Sequence, residues 1–92
     1  MPLTPGAFTT YDIDRSVVTF TMMDDSRIVS CAISTSAMDD LEKSVGTKSA
    51  GREAQFLRLR EPIENRAAKK FLASELEGNP PGIILRSIDF RN

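Results

Sequence analysis

REAQFLRLREPIENRAAKKFLASELE, residues 52–77, is the longest run of helical periodicity in this chain of 92 residues. At about 100° per residue, Phe56, Leu59, Ile63 and Ala67 fall in one narrow stripe, the seam of an amphipathic helix laid over a core. A second, weaker apolar side carries Leu57, Ala68 and Leu72 and is interrupted by Glu61 and Glu64. Arg58, Arg66 and Lys69 lie between the two apolar sides. Pro62 interrupts the run. It has no N–H for the Arg58 carbonyl and its ring crowds that carbonyl, so the helix either kinks there or restarts with Pro62 as its first residue. The apolar stripe keeps its phase across Pro62, which predicts a kinked, continuous helix. Gly78 supplies a left-handed cap, and Pro80 and Pro81 forbid continuation.

A helix with one narrow apolar seam needs a sheet to cover. Ser16 to Met23, SVVTFTMM, is rich in β-branched and aromatic residues and reads as a strand, with Val18, Phe20 and Met22 on one face. Asp24-Asp25-Ser26 is a hairpin turn. Arg27 to Ser34, RIVSCAIS, is the returning strand, with Val29, Cys31 and Ile33 on its apolar face. Thr35-Ser36 then caps a short helix from Ala37 to about Val45, with the core stripe Met38, Leu41 and Val45 and with Asp39, Asp40 and Glu42 near its positive end. Gly46 ends it. Residues 83–90, IILRSIDF, read as a third strand, and residues 1–10, rich in Pro, Gly and Thr, as an irregular arm. The expected fold is therefore α+β. A small, mainly antiparallel sheet of about three strands, a β-hairpin plus the C-terminal strand, carries a short and a long, Pro-kinked helix on one face. Residues 1–92 form one domain in this reading.

Composition narrows the chemistry. There is no histidine and only one cysteine, Cys31, so one chain cannot assemble a zinc site, a Cys–His nucleophile or an internal disulfide. Cys31, mid-strand on the apolar face, reads as a buried core thiol. Each of the pairs Asp12/Asp14, Asp24/Asp25 and Asp39/Asp40 has a structural role as turn former or helix-start anion, and none has the spacing of a calcium loop. Gly46-Thr47-Lys48-Ser49 lacks the earlier glycine of a phosphate-binding loop and follows a helix, where such a loop follows a strand. No catalytic, metal or cofactor site is expected. Neither a signal peptide nor a membrane span is legible, and the lone cysteine suits a reducing cytoplasm.

The quoted elements resemble a family of small, single-domain bacterial proteins of unknown function, found mostly in proteobacteria. They are R-S-V-V-x-F in the first strand, I-S-x-x-A-M entering the short helix, F-x-x-x-R-x-x-I-E-x-x-A in the long helix, and I-L-x-S-x-D-F near the end. The third of these places Phe56, Arg60, Ile63, Glu64 and Ala67 in the shared pattern. The resemblance implies a fold and no activity. Arg60 and Glu64, one helical turn apart, are placed to form a surface ion pair.

Net charge is −1, yet residues 1–42 hold two basic and seven acidic groups and residues 43–70 hold eight and three. Arg58, Arg66 and Lys69 form the candidate basic surface. A solvated helix face explains it, since Glu61 and Glu64 interrupt it and no aromatic residue is interleaved for base stacking. The leading expectation is a non-catalytic cytoplasmic bacterial protein acting by contact with an unidentified protein partner; weak nucleic-acid binding or a regulatory role is the alternative, and carboxylate-based enzyme chemistry the third. A homodimer through Leu57, Ala68 and Leu72, or through the neighbouring sheet edge, is also expected.

Overall fold

A computed structural model describes residues 3–42, 49–78 and 82–90. Four strands, β1 (Thr4–Asp12), β2 (Val17–Asp24), β3 (Arg27–Ser34) and β4 (Ile83–Leu85), form one sheet in the order β1-β2-β3-β4. The first two pairings are antiparallel and β3–β4 is parallel. Three helices, α1 (Thr35–Glu42), α2 (Arg52–Arg58) and α3 (Arg60–Leu72), accompany the sheet. The class is α+β, as the sequence patterns imply, with one strand more than expected.

The β2–β3 hairpin follows directly from its residues. Asp25 adopts a left-handed φ of 59° in the two-residue turn, which suits the twist of a tight hairpin. The resulting register sets Val18 against Ile33, Phe20 against Cys31 and Met22 against Val29, so the apolar faces of both strands coincide. Phe56 of α2 is buried against this face, its ring centroid 4.9 Å from that of Phe20 and 6.0 Å from that of Phe8. Ile63, Ala67, Ala37, Met38, Ile83 and Leu85 complete the core.

The extra strand is the expected irregular arm. Residues 4–12 pair with β2, but the register shifts twice, between Pro5 and Phe8 and between Phe8 and Thr10. Irregular pairing interrupts the backbone ladder, and threonine hydroxyls fill the gaps. Thr21 Oγ1 accepts from the Ala7 N–H at 3.1 Å, while the Thr19 and Thr4 hydroxyls donate to the Thr10 and Met23 carbonyls at 3.2 and 3.3 Å. A Cβ at Gly6 would overlap the Thr21 carbonyl, so close strand approach requires glycine there.

The long helix is two helices. Leu59, at φ −100° and ψ 9°, separates α2 from α3. Pro62 therefore sits in the first turn of α3, where its missing N–H costs least. The expectation of a continuous helix kinked at Pro62 is corrected to a break three residues earlier. Neighbouring bonds still bridge the joint: the Leu59 N–H reaches the Gln55 and Phe56 carbonyls, both at 3.1 Å, and the Ile63 N–H reaches Leu59 O at 3.2 Å. The two segments thus keep one apolar phase. The C-terminus also lies earlier than expected. Ser74 takes the left-handed position at φ 59°, with Glu75 N–H to Lys70 O at 2.9 Å and Ser74 N–H to Phe71 O at 3.0 Å. These are the two bonds of a Schellman cap, usually built on glycine. Gly78, at φ 90°, lies beyond it.

Two further expectations shift. Ser34, not Thr35 or Ser36, caps α1 by accepting the Ala37 N–H at 3.1 Å. Val45 and Gly46, expected at the end of that helix, lie outside the described residues, as does most of Gly46–Ser49. The expected C-terminal strand stops at Leu85. The Asp89 carboxylate accepts the Arg86 N–H at 2.7 Å, folding residues 87–90 into a 3-10 turn.

Candidate interaction surface

Most charged groups around the helices are already committed to one another. Arg58 Nε and Nη2 donate to the two carboxylate oxygens of Glu42 at 2.8 and 3.2 Å, a two-pronged pair between α2 and α1. That contact holds the Glu42 carboxyl below its ordinary range. Arg66 Nε donates to the Asp89 carbonyl at 2.7 Å, and its Nη2 lies 3.6 Å from the Asp89 carboxylate. Two of the three candidate basic residues therefore face acidic partners. Arg58 and Lys69 are exposed, and of the three only Lys69 makes no ion pair among the described residues. The stripe does not form a row of free cations of the kind that tracks phosphates.

Three buried polar side chains escaped the sequence reading. Gln55 is fully buried and Arg52 nearly so. Arg52 Nη1 donates to Asp39 Oδ1 at 2.9 Å and to Gln55 Oε1 at 2.6 Å, and Gln55 Nε2 donates to Asp39 Oδ1 at 2.9 Å and to Glu42 Oε1 at 3.2 Å. The Arg52 guanidinium also lies 5.9 Å from the Tyr11 ring centroid. Asp39 and Glu42 thus tie α1 to α2 and do not serve the start of α1, contrary to the expectation. Lys70, 5% exposed, donates to Ile84 O at 2.9 Å and lies 3.2 Å from Asp89 Oδ1. Its spacing of three from Ala67 extends the core seam, and that periodicity could have revealed it. Gln55, beside Phe56 in sequence, shows no such signal.

The Arg60–Glu64 pair is no simple surface pair. Arg60 Nε donates to Glu64 Oε2 at 2.8 Å and Nη2 to the Gly6 carbonyl at 2.6 Å, fastening α3 to the bulged edge strand. Cys31 is 4% exposed, and burial pushes its thiol up to about 12. Among the described residues no group of three or more His, Cys, Asp or Glu is placed to hold a metal ion. None of the described helices is long and apolar enough to cross a membrane.

The outer face of α2 and α3 is one uncommitted surface; Ile13, Ile28 and Ile88 are exposed elsewhere. Leu57 and Leu72 are 49% and 64% exposed, and Ala68 is half-buried against the core. Among the described residues, Leu3 is buried and Phe8 packs on Phe56, and neither covers the two exposed leucines. Leu57 and Ala68 border a cleft of about 530 Å3 between the α2–α3 joint and the start of β1, with Leu3, Pro5 and Met22 as its apolar lining and Arg58, Glu61 and Asn65 on its charged and polar side. The structure therefore brings Leu57, Ala68 and Arg58 to one site. Leu72 lies further along the same face and outside the cleft.

A family model described as a protein of unknown function, DUF1488, matches residues 5–84. The crystal structure of a protein of unknown function from the DUF1488 family of Shewanella loihica superposes with a TM-score of 0.74 at 21% sequence identity, covering 90% of this chain and 94% of that one. That likeness concerns the fold. A search of curated proteins finds no match.

Proposed function

The chain belongs to the DUF1488 family, and from that premise, which brings no activity with it, we propose a non-catalytic bacterial protein that works in the cytoplasm by binding other proteins through the outer face of α2–α3. Residues 1–92 act as one domain in this reading. The supporting observation is the pair of exposed leucines on one face of α2–α3, Leu57 at the border of a cleft lined by apolar and charged side chains and Leu72 further along, outside it. Exposed apolar side chains set among polar groups on one helix face suit contact with another macromolecule. The buried, weakly acidic thiol of Cys31 and the absence of histidine argue against nucleophilic or general-base chemistry.

The test compares surfaces. Purified chain captures a specific protein from host lysate; Leu57→Lys with Leu72→Lys abolishes the capture while leaving the melting curve in place. Ile28→Lys, at another exposed apolar position, leaves capture unchanged. Equal loss in both variants, or none in the first, refutes the reading.

A further inference from the structure

We infer that the partner of this face is a second copy of the same chain, with the two α3 helices packed antiparallel about a two-fold axis beside Asn65; this rests on the contact reading above. The residues on the outer face are Leu57, Glu61, Asn65, Ala68 and Leu72. Their spacings of four, four, three and four are those of a seam that packs against another helix. All but Ala68, which is half-buried, are exposed.

The order of residues along the seam is self-complementary in one direction only. A two-fold axis near Asn65 places Leu57 opposite the other copy's Leu72, and Glu61 opposite the other copy's Lys69. Glu61 and Lys69 lie about 12 Å apart along α3 at 1.5 Å per residue, and Leu57 and Leu72 lie beyond them on either side, Leu57 at the end of α2. Two leucine contacts thus flank two charge pairs and a central Asn65. A parallel arrangement would instead set Glu61 against Glu61 and Lys69 against Lys69, a repulsion at both sites. Glu61 and Lys69 are exposed and make no ion pair within the described residues, so both charges are available. Arg58 is neutralised by Glu42 and presents its stem beside Leu57 to the other copy's Leu72. That leucine, 64% exposed, arrives at the lip of the cleft lined by Leu3, Pro5 and Met22.

The sheet edges are poor alternatives. On β1, Pro5 and two register shifts interrupt the strand, and the Gly6 carbonyl is taken by Arg60. At the other edge β4 has three residues. Short, bulged or proline-bearing edges resist strand addition.

Sedimentation of the full chain at micromolar concentration reads the assembly. A dimer is expected. Glu61→Lys and Lys69→Glu each weaken it about three- to tenfold by turning two exposed attractions into repulsions, and the double exchange restores it. Asn65→Cys provides a readout independent of these charge variants: mild oxidation links two copies through the residue on the axis, while buried Cys31 stays reduced. A monomeric wild type overturns the inference, as does a dimer indifferent to both exchanges, a double exchange as weak as the singles, or a failure of Asn65→Cys to cross-link. A monomer that still captures a host protein through Leu57 and Leu72 overturns self-pairing alone; loss of capture as well removes the contact reading with it.

Discussion

Lys70→Met removes one buried ammonium and keeps the length of the side chain. Lys70 is 5% exposed, donates to Ile84 O at 2.9 Å and approaches Asp89 Oδ1 at 3.2 Å. A hydrogen bond to a charged group is worth roughly 1.5–3 kcal/mol, and breaking a buried ion pair typically costs about 3–5 kcal/mol. The lower part of that range applies, because Arg66 stays beside Asp89 and the thioether stem fills most of the vacated space. The expected loss is about 2–4 kcal/mol, a large fraction of the roughly 5–15 kcal/mol typical of a domain. It corresponds to a fall in Tm of about 10–25 °C for a chain of this size. The pH dependence identifies the cause. Burial raises the Asp89 carboxyl, but the Arg86 amide, Lys70 and Arg66 outweigh it and hold the group below its ordinary 3.8. A depressed carboxyl stabilises the fold above its unfolded pKa, and that stability is lost as pH falls through the folded value. The substitution weakens the depression, so its deficit is greatest near neutrality and narrows below about pH 4 as Asp89 protonates in both proteins. Urea titrations across that range measure both quantities. A deficit under about 0.5 kcal/mol, or one constant with pH, refutes the reasoning.

Phe56→Ala empties the space between Phe20 and Phe8 and is expected to cost about 3–5 kcal/mol by denaturant titration; an unchanged midpoint contradicts the core assignment. Cys31, with its thiol pushed up to about 12 by burial, reacts with a thiol reagent only after denaturant is added, and faster labelling of native than of unfolded protein refutes this. Arg60→Ala releases Gly6 from α3 and is expected to cost about 1–2 kcal/mol, with amide exchange accelerating selectively in β1. Exchange unchanged in β1 would show that pairing with β2 holds this strand without Arg60.

The two ion-pair groups divide the domain between them. Arg52, Gln55 and Asp39 lock α1 to α2, while Lys70, Arg66 and Asp89 lock α3 to the C-terminal turn. Both groups give hydrogen-bond partners to side chains that would otherwise be costly to bury, with Arg52 Nε left buried and without one. Their charges therefore stabilise the fold, leaving Glu61 and Lys69 as free charges of opposite sign on the outer face of α3.

Local pattern alone determined the β2–β3 hairpin, the seam of Phe56, Leu59, Ile63 and Ala67, and the buried thiol. In each of these the deciding interactions are periodicity or turn chemistry within a few residues. The tertiary structure decided β1, because the Thr4–Asp12 strand forms where β2 supplies hydroxyls to its interrupted ladder, and a Pro-Gly stretch shows no strand pattern of its own. It decided the break at Leu59, since Pro62 forbids one bond and leaves open whether the helix kinks or breaks. It also decided the partners of Asp39, Arg66 and Lys70. Charges far apart in the chain become neighbours only when the helices dock, and only then does it emerge which cations are paired and which face of α2–α3 stays open.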